Sequence, residues 1–229
     1  MTLTTALIER ITHVQAQIAR AAARSGRSPD EITLVAVSKT VNRSVVDEAY
    51  AAGLRHFGEN RVQDAARKFE QPLPSDVELS MIGQLQSNKA GTAVRLFHRV
   101  ESVDRLSLID ALDRHATNAG IVLPVLLQVN IAGEVQKAGC APDKALGVAT
   151  EITNRSSLRL DGLMMIAPLF EDPENTRPFF KSMYSLRERL RYQLPGVSLD
   201  TLSMGMTNDF EVAVEEGTNR VRIGRAIFG

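Results

Sequence analysis

The sequence predicts an α/β fold, a single closed (β/α)8 TIM barrel of eight parallel strands ringed by helices, and three observations carry that expectation. Short aliphatic runs alternate with amphipathic helical stretches along all 229 residues, and such alternation implies parallel strands joined by right-handed crossovers. Eight runs occur with no antiparallel remainder, which favours closure over an open sheet, and the length approaches that of an α/β barrel. No composition break or flexible linker divides the chain, so a single domain over 1–229 is expected.

The elements follow in order. Leu3, Leu7, Ile8, Ile11, Val14, Ile18 and Ala22 recur at three- and four-residue steps, predicting a helix with one apolar stripe that stops near Gly26 and Pro29. The first strand is the mostly β-branched or aliphatic stretch 32–40, which ends abruptly on Ser38-Lys39-Thr40 and delivers Lys39 at its C-terminal end. Ser44 suits the cap of a helix over 45–52, and Gly53 suits its left-handed end. A second strand over 54–60 leads into a helix over 61–70, after which Pro72 and Pro74 turn the chain back. A third strand over 79–83 precedes a helix over 85–97, and a fourth over 99–103 is followed by Asp104, read as the cap of a helix through Ala119. The most apolar run, 121–130, is the fifth strand; its loop leads to Pro142 in the first turn of a helix ending near Asn154.

The sixth strand spans 158–166, and a long helix over 174–193 follows it. The seventh is short, over 199–203. Its loop precedes a helix opened by Asn208 with Glu211 three residues on, the arrangement of a capping box. The eighth covers 220–223 and leaves room for only a stub. Because strand eight lies beside strand one in a closed barrel, the N-terminal helix is expected to close the ring where the eighth helix is missing. Leu7, Ile11 and Ile18 are then buried.

Composition excludes several classes of function. Lys+Arg and Asp+Glu balance at 27 each, so no global field draws nucleic acid or an anionic membrane. Arg187, Arg189 and Arg191 are interrupted by Glu188 and read as a solvated helix face. The single Cys140 rules out an internal disulfide and offers no zinc cluster, so no metal is expected, and the reducing cytoplasm fits best. Glu9, Arg10 and His13 break any apolar signal core near the start. Nowhere do roughly 18 apolar residues run together to span a membrane.

Chemistry in a parallel barrel belongs at the strand C-termini. There stand Lys39, Asn60, Gly83-Gln84, Asp104, Asn130 and the residues of 164–166, 203–207 and 222–225. Alternation puts Lys39 on the side of Val35 and Val37. Burial there lowers an ammonium's pKa toward the nucleophilic amine; the competing reading leaves Lys39 in water at the strand's end. Gly205 and Gly224 permit backbone amides to approach a phosphate after strands seven and eight. A helix start at Asn208 adds free amides and a positive dipole end. Arg222 brings a fixed positive charge two residues before Gly224. An amine, an anion cradle and a fixed cation together suit pyridoxal phosphate, which needs partners for its aldehyde, its phosphate and its ring nitrogen.

The segments that carry this chemistry form a recognisable set. Val35-Ala36-Val37-Ser38-Lys39-Thr40, Phe57-Gly58-Glu59-Asn60, Ile82-Gly83-Gln84-Leu85-Gln86-Ser87-Asn88-Lys89, Gly162-Leu163-Met164, Leu202-Ser203-Met204-Gly205-Met206 and Val221-Arg222-Ile223-Gly224 are spread over the whole chain. In that order, with the closing Ala226-Ile227-Phe228-Gly229, they resemble the pyridoxal phosphate homeostasis protein family. The resemblance implies a barrel like the N-terminal domain of alanine racemase, and a protein that binds and buffers pyridoxal 5'-phosphate without established turnover. It makes Lys39 the Schiff-base lysine, sets Asn60 near the ring hydroxyl, and gives the phosphate to Ser203 and the amides of Gly224 and Arg225, with Arg222 facing the ring nitrogen. The sequence departs from the family's pattern at Val41 and Asn42, at Gln84 where histidine is frequent, and at Arg225 where threonine is common. In the loop after strand five, Lys137 either reaches toward the cofactor entrance or, the favoured reading, pairs with Glu134 on a solvated turn.

Two functions compete. A racemase of this barrel type needs a second acid/base opposite Lys39, usually a tyrosine from another domain, as the resemblance implies. Here Tyr50, Tyr184 and Tyr192 all lie in predicted helices, and the chain stops at the eighth strand. The reading that fits better is an intracellular carrier that hands pyridoxal phosphate to apo forms of dependent enzymes. With no second domain to pair, a monomer is expected.

Overall fold

Aliphatic strands buried on both faces pair side by side and leave no free edge. In the computed structural model, which describes residues 3–134 and 136–229, eight strands close into a barrel in sequence order. They are β1 (Thr33–Val37), β2 (His56–Glu59), β3 (Glu78–Met81), β4 (Arg99–Val103), β5 (Leu123–Gln128), β6 (Leu158–Met164), β7 (Thr201–Ser203) and β8 (Arg220–Ile223). Every neighbouring pair is parallel, and β8 returns to β1 with Ala36 opposite Ile223. Ala36 also stands opposite Phe57 on the other side, so β1 is flanked by β2 and β8. The helices outside are α1 (Leu3–Arg24), α2 (Arg43–Ala51), α3 (Val62–Lys68), α4 (Ala90–Leu96), α5 (Leu106–Ala119), α6 (Ala145–Thr153), α7 (Arg177–Gln193), α8 (Phe210–Glu215) and the stub α9 (Arg225–Phe228).

The ring is closed by α1 as the sequence predicts. Leu7, Ile11 and Ile18 are buried, and α1 packs against α8 and α9. Gln17 donates to Glu211 at 3.1 Å and Arg24 to Glu215 at 2.6 Å. Ile8, counted in the stripe, is instead exposed. Leu3's side chain and Val135, both part of the sequence expectations, lie outside the described residues.

The barrel interior is charged. Arg220 on β8 donates to Glu101 on β4 at 2.7 Å and to Glu78 and Ser80 on β3. Strands so far apart around the ring can meet only across its centre, so these side chains fill the space that bulky aliphatics usually take. Burial penalises each charge, and mutual pairing offsets the penalty. Burial acts to raise Glu101's pKa, but the positive charges of Arg220 and Arg222 and the hydrogen bonds from Ser203 and Arg220 outweigh it and hold the carboxyl below its ordinary range.

Local details correct several caps. Asn42 caps α2, accepting from Val45 N, while Ser44 donates to Asn42. Asp104 caps nothing: it pairs with Arg105 at 2.6 Å and accepts from the amide of Gly139. The α8 helix starts at Phe210, later than expected, and Asp209 rather than Asn208 stands at its head, with no capping box. Pro142 precedes α6 in a turn, and the stretches over 87–89 and 173–176 are 3-10 turns rather than α-helix. Arg187, read as solvated, is buried against Tyr184 with its guanidinium 4.6 Å from the ring centroid. No helix among the described residues is long and apolar enough to cross a membrane.

Candidate functional site at the barrel mouth

A cavity of about 630 Å³ opens at the C-terminal ends of the strands, within the ~300–1,000 Å³ range of small-molecule sites. Its wall is built by six strand ends. Val37, Lys39 and Thr40 come from β1, Asn60 from β2, and Ile82 and Gly83 from β3. Residues 166–169 follow β6 and residues 206–209 follow β7, while Arg222, Gly224 and Arg225 belong to β8 and α9. The ends of β4 and β5 contribute none of the lining residues, so the cavity sits to one side of the barrel axis.

Lys39 reaches this cavity but is exposed, which corrects the expectation that it is buried beside Val35 and Val37. The strand ends at Val37, and a turn over 38–41, closed by Val41 N donating to Ser38 O at 3.1 Å, carries Lys39 out of the alternating pattern. The side chains of Lys39 and Arg225 have no hydrogen-bond or ion-pair partner among the described residues, so two free cations stand in one mouth.

Arg222 forms the floor. It is 4 % exposed, and its Nη1 donates to Ser203 Oγ at 2.6 Å while Nη2 donates to the Met165 carbonyl at 2.7 Å. Burial lowers its pKa, while the carboxylates of Glu101 and Asp209 pull the other way. With five N–H donors on a guanidinium, these bonds leave donors over. Ser203 lies outside the cavity lining: its hydroxyl is buried, accepts from Arg222 and donates to Glu101 Oε2 at 2.7 Å. Gly205 also lies outside the lining and shapes the loop, holding φ +90° where a Cβ would come 2.6 Å from Ala213.

Thr207 is the hydroxyl that the loop does present to the cavity, half-buried and without a side-chain partner among the described residues. Sequence reading passed over it in favour of Ser203. The available signal was spacing, since a hydroxyl just ahead of a helix faces its free amides. Asp209 fixes this loop by accepting from Met206 N at 2.6 Å. Its pKa is raised by burial, against the opposing effects of the Met206 amide and Arg222. Gly83 is required for a different reason: a Cβ there would lie 2.1 Å from the Asn60 carbonyl, so only glycine lets β2 and β3 end so close together.

Other residues taken from strand ends play structural parts. Asn130 donates to the carbonyls of Glu134 and Lys137 and ties its own loop together. Lys137 pairs with Glu134 at 3.0 Å, as expected, and also donates to the Ala167 carbonyl at 3.1 Å.

The alanine racemase N-terminal domain model matches residues 10–229 of this chain. A pyridoxal phosphate homeostasis protein of Aquifex aeolicus is 39 % identical over 96 % of both chains. One from Pseudomonas aeruginosa is 40 % identical over 97 % of this chain and 95 % of its own. Among solved structures, PipY of Synechococcus elongatus with PLP bound is 38 % identical with a TM-score of 0.82, covering 93 % of this chain and all of that one. A Clostridium difficile alanine racemase, 11 % identical with a TM-score of 0.77, shares the fold over 98 % of this chain and 56 % of its own. A barrel of this topology, matched over nearly its whole length, belongs to the pyridoxal phosphate homeostasis protein family, within the alanine racemase N-terminal fold.

Proposed function

We propose that this chain binds pyridoxal 5'-phosphate in the mouth cavity and holds it reversibly on the Lys39 amine, for intracellular homeostasis and carriage rather than turnover. One observation carries the reading: Lys39, Asn60, Arg222, Gly224 and Arg225, from four separate elements, line a single cavity. The donor set fits the cofactor. When bound, the group supplies an aldehyde that condenses reversibly with a primary amine. Arg222, on the cavity floor, would offer its cation to the ring nitrogen and disfavour protonation there. The first-turn amides of Gly224 and Arg225 suit the phosphate, and Thr207 rather than Ser203 would offer it a hydroxyl. Gly205 shapes that loop, and Asn60 in the cavity wall would serve the ring side.

Carriage is favoured over racemase chemistry by where the tyrosines are. Tyr50 donates to Asp76 on the outer surface, Tyr184 packs with Arg187, and Tyr192 is 89 % exposed. None lines the cavity, so no phenol stands ready as a second acid/base opposite Lys39. The exposed Lys39 leaves the attachment point open to competing amines, as transfer to apo enzymes requires. We read the chain as one barrel domain acting as a cytoplasmic monomer, a reading supported by its charge balance and single buried cysteine. Absorbance on adding the cofactor, borohydride trapping and peptide mapping test the proposal. Label on Lys39 is the expected result; label elsewhere, or amino-acid racemisation that depends on Lys39, overturns it.

A further inference from the structure

We infer that the buried Lys68–Glu59 ion pair positions Lys39, and that both of its members are positioning residues for the amine. The inference rests on the reading of Lys39 as the attachment point and adds how that amine is held. Lys39 is exposed and its side chain has no partner among the described residues. Its placement therefore depends on the backbone that delivers it.

That backbone is clamped one residue earlier. Ser38 is fully buried, and every polar group it has is engaged. Its N–H donates to the Gly58 carbonyl at 3.0 Å, its hydroxyl to Glu59 Oε1 at 2.7 Å, and its carbonyl accepts from Val41 N and from Lys68 Nζ at 2.6 Å. The Ser38 carbonyl shares a rigid peptide plane with the Lys39 amide, so fixing one fixes the direction in which the chain enters Lys39. Lys68, on α3, also donates to Glu59 Oε1 at 2.7 Å. Glu59 immediately precedes Asn60 in the cavity wall. One ammonium thus ties the ends of β1 and β2 together and sets the spacing between Lys39 and Asn60.

The energetics set this cluster apart from an ordinary brace. Glu59 is fully buried, and its Oε2 has no hydrogen-bond partner among the described residues. An incompletely satisfied buried ion pair stabilises a fold no better than well-packed apolar side chains of the same volume. What it supplies here is direction: one short charge-assisted bond lands on the peptide next to the attachment lysine, and a second holds the side chain of the same Ser38.

The test pairs single and compensated variants of the full chain. Lys68→Met leaves the buried Glu59 carboxylate without a counter-charge, so the double variant Lys68→Met with Glu59→Gln removes both charges together. Borohydride trapping on Lys39 of the unaltered protein first decides the parent reading. For the double variant, the expected result is roughly ten- to a hundredfold weaker pyridoxal phosphate binding, the scale on which small misplacements act, with an unchanged circular dichroism spectrum. The pH profile of the bound chromophore is expected to shift, and Lys68→Arg to restore most of the affinity. Wild-type affinity and pH profile in the double variant overturn the inference. A cofactor-free arm covers failure of the parent reading or of folding by the double variant: amide hydrogen exchange at 38–41 in Ser38→Ala, which keeps the ion pair but loses one anchor, and in Lys68→Arg. Faster exchange in Ser38→Ala, with Lys68→Arg near wild type, supports the clamp. Unchanged exchange in Ser38→Ala, or equal loss in both, overturns it.

Discussion

The N-terminal end of the barrel and the cations of the mouth cavity treat charge in opposite ways. At the N-terminal end, Glu78 takes Arg220 at 2.5 Å, with Arg99 3.5 Å and His56 3.8 Å away, while Asp161 takes Arg99 at 3.1 Å and Arg159 at 2.6 Å. Each of these groups faces an opposite charge. At the C-terminal mouth, Lys39 and Arg225 face none among the described residues, and the carboxyl of Asp209 has its pKa raised by burial. Where only the fold is at stake, pairing is dense; at the site, cations are left free for an anion to find. The difference separates residues that hold the barrel from the free cations that serve the cavity.

The largest break comes at the mouth. Lys39→Ala is expected to abolish borohydride-fixed cofactor entirely, while leaving the urea midpoint within the equivalent of about 0.5 kcal/mol, because an exposed, unpaired side chain is lost. The barrel interior should respond in reverse. Glu101→Gln leaves buried Arg220 without its carboxylate partner on β4 and removes the charge that accepts from Ser203, and a stability loss of about 3–5 kcal/mol is expected from urea denaturation, as for removal of one partner from a buried pair. A smaller effect, on the order of 1–3 kcal/mol, is expected for Gly83→Ala, because a Cβ 2.1 Å from the Asn60 carbonyl forces β2 and β3 apart. That variant also shifts Asn60, so cofactor affinity should fall together with stability.

The charge contrast also predicts a pH dependence. Burial acts to raise Glu78's pKa, but His56, Arg220 and Arg99 outweigh it and hold the carboxyl well below the ordinary range. A carboxyl depressed in the folded state contributes its stability in full above the unfolded pKa, about 4.3, and loses it as pH falls further toward the folded value. Thermal midpoints between neutral and acid pH should therefore fall more steeply for the unaltered chain than for Glu78→Gln; parallel curves would remove Glu78 from the account. The smallest effect belongs to Arg225→Thr. It is expected to weaken cofactor binding only a few-fold and to reduce its salt dependence, since one exposed charge is screened over a Debye length of about 10 Å at 0.1 M salt.

Strand positions were legible because buried parallel strands read as aliphatic runs; β4 and β8 fall where the sequence places them. Caps were less so. At 42–44 and 208–209 two or three polar residues stand together, and only the backbone angles of the folded chain decide that Asn42 and Asp209 take the leading positions. The gathering of Lys39, Asn60, Arg222, Gly224 and Arg225 followed from the rule that parallel barrels work at their strand ends. The engagement of Ser203 did not, because its acceptor Glu101 lies 102 residues away and nothing local marks the pair. Lys39's exposure was equally hidden: alternation holds while a strand lasts, and β1 ends two residues too soon.

The seat of α1 bears on how the chain folds. Gln17 and its partner Glu211 are separated by 194 residues, and the helix that carries Leu7, Ile11 and Ile18 packs chiefly on α8 and α9, at the other end of the chain. Contacts so distant in sequence form late. The first helix thus acts as a latch across the two ends of the chain, and the amide protection of α1 is expected to report completion of the whole barrel.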